Sequence, residues 1–202
     1  VVAGRGVSVI LMHMQGAPQT MQDDPRYDHA GLDIYDALGR RVDACLAAGI
    51  PRADIAIDPG IGFGKTVAHN AEILGRLSLF QGHGCAVALG VSRKSFIAAL
   101  ARGEPVTERV PGSLAAVLHA VTQGVHIVRV HDVAETRQAL LSIATIDSLL
   151  GTGCARTLTW RPGGSPSVAP SRASPKRSTT TLCEASRRAT TSLRWRAESA
   201  AR

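Results

Sequence analysis

Short apolar runs separated by helix-length stretches constrain this chain more than any other feature. Val7 to Met12, Ile55-Ala56-Ile57, Ala86 to Val91 and Ile127 to Val130 (broken only by Arg129) are too short for helices. They read as strands buried on both faces, the habit of a parallel sheet. Between and after them the pattern is helical: Leu32 to Ala48 with Gly49 as a stop, about Asn70 to Phe80, a helix opening at Ser95, Ser113 to Thr122, and about Val133 to Leu150. Alternation of this kind predicts an α/β fold, either an open parallel sheet or a (β/α) barrel, with about four β/α units in residues 1–150.

The four strands end in chemistry. Strand one runs into Met12-His13-Met14-Gln15-Gly16, strand two into Asp58-Pro59-Gly60-Ile61-Gly62-Phe63-Gly64-Lys65-Thr66, and strand three into Gly90-Val91-Ser92-Arg93-Lys94-Ser95. Strand four carries Arg129 and then His131-Asp132. Polar groups at the carboxyl ends of successive strands mark a site on that face, as in barrels and open α/β sheets. Arg129 and His131, two residues apart on a strand, project to one side. With Arg93 and Lys94 one unit away, they favour an anionic ligand such as phosphate or carboxylate. Asp58 adds the opposite character, because a buried carboxylate accepts hydrogen bonds from a nitrogen-rich ring.

Two tempting motifs fail on spacing. Gly64-Lys65-Thr66 matches the end of a Walker A loop, but that loop needs glycine where Pro59 stands. The glycines read either as a turn using left-handed conformations or as backbone approaching a planar ligand, with Phe63 stacked on it. His13 has no second His or Cys at metal-ligand spacing, so a structural role outweighs a metal role. Met12 and Met14 fall on one side of their strand, either in the core or at the mouth of the site. Ser92-Arg93-Lys94 is either a solvated turn or, at a strand's carboxyl end, part of the site.

Charge divides the chain in two. The formal net charge is +7, yet residues 1–150 hold 13 Lys and Arg against 14 Asp and Glu. Residues 151–202 hold 10 Lys and Arg against 2 Glu, with 16 Ser and Thr and only four Leu, Ile or Val. A segment so poor in apolar residues cannot offset its ordering entropy, so 151–202 is expected to be a disordered, low-complexity basic tail. It lacks amphipathic period and aromatic interleaving, and it resembles a GC-rich gene read out of frame; nucleic acid is not the expected partner. No apolar run approaches the ~18–20 residues of a membrane span, so no membrane association is expected. Cys45, Cys85, Cys154 and Cys183 show no C-x-x-C spacing and suit a reducing cytoplasm. No secretory leader pattern is visible, and the start at Val1 without Met suggests a piece cut from something longer.

Four segments together, LMHMQGAPQTMQ, IDPGIGFGKTVAHN, LGVSRKSFI and VRVHDV, resemble the blocks of the dihydropteroate synthase family, in that family's order and spacing. The resemblance covers roughly residues 7–147. It implies a (β/α)8 TIM-barrel fold and an alkyl transfer that joins p-aminobenzoate to 6-hydroxymethyl-7,8-dihydropterin diphosphate. The products would be 7,8-dihydropteroate, for folate synthesis, and diphosphate. By matching position, Asp58, Lys94, Arg129, Met12 and Gly90 would form the pterin pocket. Arg129 and His131 would hold the diphosphate. Phe63, Ser92, Arg93 and Lys94 would meet p-aminobenzoate. Lys94, Arg129 and His131 would be the catalytic set.

The matched blocks are those of strands five to eight of that barrel. The first-strand Asn that holds Mg²⁺ in the family, and the third-strand Asp and fourth-strand Asn of the pterin pocket, have no counterpart here. Mg²⁺ is implied as a cofactor, with no metal ligand expected in this chain. Residues 1–150 would then be a partial barrel, whereas a closed one takes ~250 residues, and turnover by this chain alone is not expected. An inactive pterin-binding fragment is the first alternative. A methyltransferase-type pterin domain is the second, disfavoured because its chemistry handles no diphosphate. The family further implies a homodimer through the last helices when intact.

Overall fold

The computed structural model describes residues 2–149. The chain order is β1 (Val9–Met12), α1 (Ala30–Ala47), β2 (Ile55–Asp58), α2 (Val67–Gly75), β3 (Ala86–Leu89), α3 (Ser95–Leu100), α4 (Val110–Thr122), β4 (Ile127–Val128) and α5 (Val133–Leu149). The four strands form one parallel sheet in the order β1-β2-β3-β4. Every crossover therefore steps the same way. Since such crossovers are right-handed, the helices fall on a single face of the sheet. That is the wall of a barrel rather than a doubly wound sheet, and these residues form part of one.

Register divides the side chains between two faces. Met12 lies beside Asp58, Ile10 beside Ala56, Ala56 beside Ala86 and Ala88 beside Ile127. The alternate residues Ile55, Ile57, Val87 and Leu89 point to the helices and are buried. They meet Ile34, Leu38 and Val42 of α1, Ile73 of α2 and Val117 and Ala120 of α4, the core of the molecule. Ala30, Ile34, Leu38 and Val42 recur every four residues, the stripe by which an amphipathic helix seats itself. The opposite, concave face carries Ile10, Met12, Ala56, Asp58, Ala86, Ala88 and Ile127, with Gly90 and Arg129 continuing it. Ile10 there is 61% exposed.

The structure corrects several sequence boundaries: the helix expected from Ser113 begins at Val110, and the third strand, expected to Val91, ends at Leu89. The helix expected from Asn70 to Phe80 begins at Val67 and ends at Gly75, followed by a separate 3-10 turn, Leu77–His83. Its start is set by Thr66, whose hydroxyl accepts from the His69 N–H at 3.2 Å while His69 Nδ1 accepts from the Thr66 N–H at 3.3 Å. This is a capping box with His in the place usually held by Glu or Gln. The fourth strand stops at Val128 rather than Val130. Arg129 N–H still donates to the Leu89 carbonyl at 2.9 Å, but the His131 N–H turns to the Ser92 hydroxyl at 3.2 Å. The last helix is described to Leu149; the basic tail of residues 151–202 and its expected disorder lie outside the described residues.

Candidate active site

Main chain packed on main chain anchors the site. The His13 N–H donates to the Asp58 carbonyl at 2.9 Å, carrying the β1–β2 pairing one residue past β1. The turn after β2 then lies directly on the connection after β1. A Cβ at Gly60 would stand 1.8 Å from the His13 carbonyl oxygen, and one at Gly64 would stand 2.6 Å from that of Gln15. Both glycines also have positive φ, +69° and +62°, so side chains are excluded twice over. Asn70, buried in the first turn of α2, closes the loop by accepting from the Gly62 N–H at 2.7 Å and donating to the Thr66 carbonyl at 2.8 Å. Tyr27 donates to the Gly64 carbonyl at 2.8 Å, and Gln22 to that of Gly62 at 2.7 Å.

Asp58 stands at the head of this turn on the concave face, where its Oδ1 accepts from the Gly60 N–H at 2.8 Å. Burial pushes its carboxyl above the usual range. The Gly60 N–H and then the positive charges of Lys94, Arg129 and Lys65 pull it back. Lys94 reaches over from the turn after β3 to donate to the Ile61 carbonyl. Its Nζ lies 4.4 Å from the centre of the Phe63 ring, a cation–π contact. Burial lowers Lys94 to about 8, with Asp58 opposing and Arg129 reinforcing the shift. Arg129 lies against the end of β3, where a Cβ at Gly90 would come within 3.2 Å of Nη2.

The turn between β3 and α3 faces three ways. Ser92 is buried and accepts from the His131 N–H; its Oγ is also 3.0 Å from His131 Nδ1. Arg93, with φ +58°, is the one non-glycine with positive φ among the described residues. Its N–H donates to the Ser113 hydroxyl at 2.9 Å, its carbonyl accepts from Arg109 at 3.1 Å, and its guanidinium is paired with Asp132. Lys94 then points back to the β2 turn.

One half-buried carboxylate thus stands among three cationic side chains, at the rim of a concave surface. A family of sequences described as pterin binding enzymes matches residues 1–131. The chain belongs to that family. The dihydropteroate synthase of Escherichia coli K12 is 44% identical to it over 138 residues, which is 68% of this chain and 49% of that protein. The chain spans about half the length of the curated relatives it matches. Among solved structures, the dihydropteroate synthase of Stenotrophomonas maltophilia with imidazole in its active site superposes with a TM-score of 0.71 at 43% identity. The alignment covers 73% of this chain and 56% of that one. The Xanthomonas albilineans dihydropteroate synthase, solved with 4-aminobenzoic acid, gives 0.68 at 39% identity, covering 73% and 52%.

Of the residues singled out from sequence, Asp58, Lys94, Phe63, Arg129 and Gly90 meet at one place, and Met12 is Asp58's register partner. Ser92 and His131 are joined to each other, and His131 is exposed at the rim. Arg93 is held by Asp132 rather than turned to the concave face. Sequence reading assigned no site role to Lys65, Asn70, Tyr27, Ser113 or Arg109. The T-x-x-H capping pattern was a usable signal for Thr66 and its helix; the others bond to backbone atoms that no motif announces. No three His, Cys, Asp or Glu side chains come together as a metal-holding group among the described residues.

Proposed function

We propose that this chain carries the pterin- and diphosphate-binding side of a dihydropteroate synthase. One observation carries the reading: the half-buried Asp58 carboxylate on the same concave face as Lys94 and Arg129. An ionised Asp58 accepts paired N–H groups from the pterin's amino-pyrimidine edge, and Lys94 donates to its ring. Arg129 and the exposed His131 hold the diphosphate at the rim. The aniline nitrogen of p-aminobenzoate attacks the pterin methylene carbon as the carbon–oxygen bond breaks. The electron pair leaves with the diphosphate and the nitrogen's proton passes to solvent. Cations placed where that negative charge grows lower the barrier.

Relatives solved with 4-aminobenzoic acid and with 7,8-dihydropteroate support this choice of substrates. Phe63, Ser92 and the Lys94 stem would line the p-aminobenzoate side, with Arg93 acting through its turn. Mg²⁺ accompanies the diphosphate in this reading, and the roles given to Asp58, Lys94 and Arg129 do not pass through it. A cytoplasmic setting and a homodimer belong to the same proposal.

The test is release of diphosphate from p-aminobenzoate and 6-hydroxymethyl-7,8-dihydropterin diphosphate with Mg²⁺, beside pterin binding followed by fluorescence. Lys94→Ala should weaken pterin binding about 10- to 100-fold, the loss of a charged hydrogen bond. A folded chain that binds no pterin overturns the reading. Pterin binding without turnover assigns the chain to binding alone, a second reading favoured by the open face around Ile10.

A further inference from the structure

Lys65 has no part in the chemistry above, yet it is the most deeply buried charged side chain described, at 4% exposure. Its Nζ donates to the Phe63 carbonyl at 2.9 Å and lies 3.2 Å from His13 Nδ1. The Tyr27 ring centre is 6.0 Å away. A Cβ at Gly60 would be 3.5 Å from the same Nζ, which puts the ammonium directly against the turn that begins at Asp58. No carboxylate among the described residues is bonded to it. A buried cation without an ion pair costs stability, and an apolar side chain of equal length would fill the space at lower cost. An ammonium kept in such a place calls for a role in the site.

We propose that Lys65 is a positioning residue of the pterin site, fixing the Phe63 carbonyl and the His13 ring and giving the Asp58 carboxylate a buried counter-charge. This rests on the pterin reading, which needs Asp58 ionised when the ring displaces water from it. The surrounding charges agree. Burial lowers Lys65 to about 7, Asp58 draws it up and Lys94 pushes it down. Asp58 itself faces Lys94 from the β3–α3 turn, Arg129 from the end of β4, and Lys65 and the Gly60 N–H from its own loop. Burial, then Lys65 and Arg41 of α1, hold His13 down to about 4. A neutral His13 can leave Nδ1 free to accept from Lys65. Tyr27, raised to about 12 by burial and by Asp33, stays neutral beside them.

The experiment follows the Asp58 carboxyl by ¹³C NMR against pH, the signal being assigned by its loss in Asp58→Asn. Lys65→Met should move the Asp58 midpoint up by about one pH unit, with about tenfold weaker binding of 6-hydroxymethylpterin wherever the shift leaves the carboxyl protonated. Lys65→Arg should restore most of both. A folded Lys65→Met chain with an unmoved midpoint overturns the proposal, even if binding weakens uniformly. Should Lys65→Met fail to fold, the wild-type chain decides. Its Asp58 signal must show a second inflection where the Lys65 ¹⁵Nζ signal titrates, and a single inflection overturns the proposal. Absence of pterin binding by the wild type strikes the functional reading alone, because the Asp58–Lys65 coupling is read without ligand.

Discussion

His13 shows how one residue ties stability to pH. Folded, it takes up a proton only near pH 4, because burial and then Lys65 and Arg41 oppose the charge; unfolded, it does so near its ordinary value of 6.5. Between those limits the unfolded chain binds more protons, so stability is lost as pH falls from about 6.5 to 4. Urea midpoints measured across that window should decline less steeply in His13→Gln than in the wild type; parallel declines would remove His13 from the cause. The sequence favoured a structural role for His13 over a metal role but did not show what it touches. Its partner Lys65 is 52 positions away and carried the distraction of a phosphate-loop spelling. Asp58, Lys94 and Arg129 were legible because strand ends concentrate ligand chemistry.

At the scale of elements, α4 acts on the site without touching the concave face. Ser113, buried in its first turn, accepts from the Arg93 N–H at 2.9 Å and donates to the Arg109 carbonyl at 2.7 Å. Ser113→Ala leaves a strained N–H without its partner and should cost about 1 kcal/mol in urea unfolding. Under the proposed function, the dissociation constant for p-aminobenzoate should rise several-fold, because Ser92 and Lys94 flank the loosened residue. A lost kilocalorie with an unchanged dissociation constant would confine Ser113 to folding. Apolar runs made every strand and helix visible in the sequence, because burial on one or two faces writes itself as periodicity. Their ends were less visible. Thr66 and His69 begin α2 with polar atoms, and Ser92 captures the chain after β4 where a ladder bond would otherwise form.

At the scale of the molecule, the consecutive strand order leaves one face to the helices and the other without a layer among the described residues. Ile10, on strand β1 and on that face, is 61% exposed. Apolar surface beside an unpaired strand edge invites association. Sedimentation over a hundredfold concentration range should show self-association that weakens in Ile10→Lys, and a monomer throughout would contradict it. The partial barrel could be read from sequence through the count of β/α units and the positions of the matching blocks. What happens on its concave side could not, since exposure depends on what packs there.

The turn at Ser92, Arg93 and Lys94 constrains more than residue identity. Three consecutive side chains serve His131, Asp132 and the β2 loop in turn, so each role is fixed by counting from the strand. Deleting Ser92 would slide the guanidinium into the hydroxyl's place and the ammonium into the guanidinium's, and break all three contacts at once. The exposed bend at Ala101–Gly103 makes no such commitments to the strand ends. Insertions and deletions should therefore collect there during divergence, while this turn keeps its length even where its letters change.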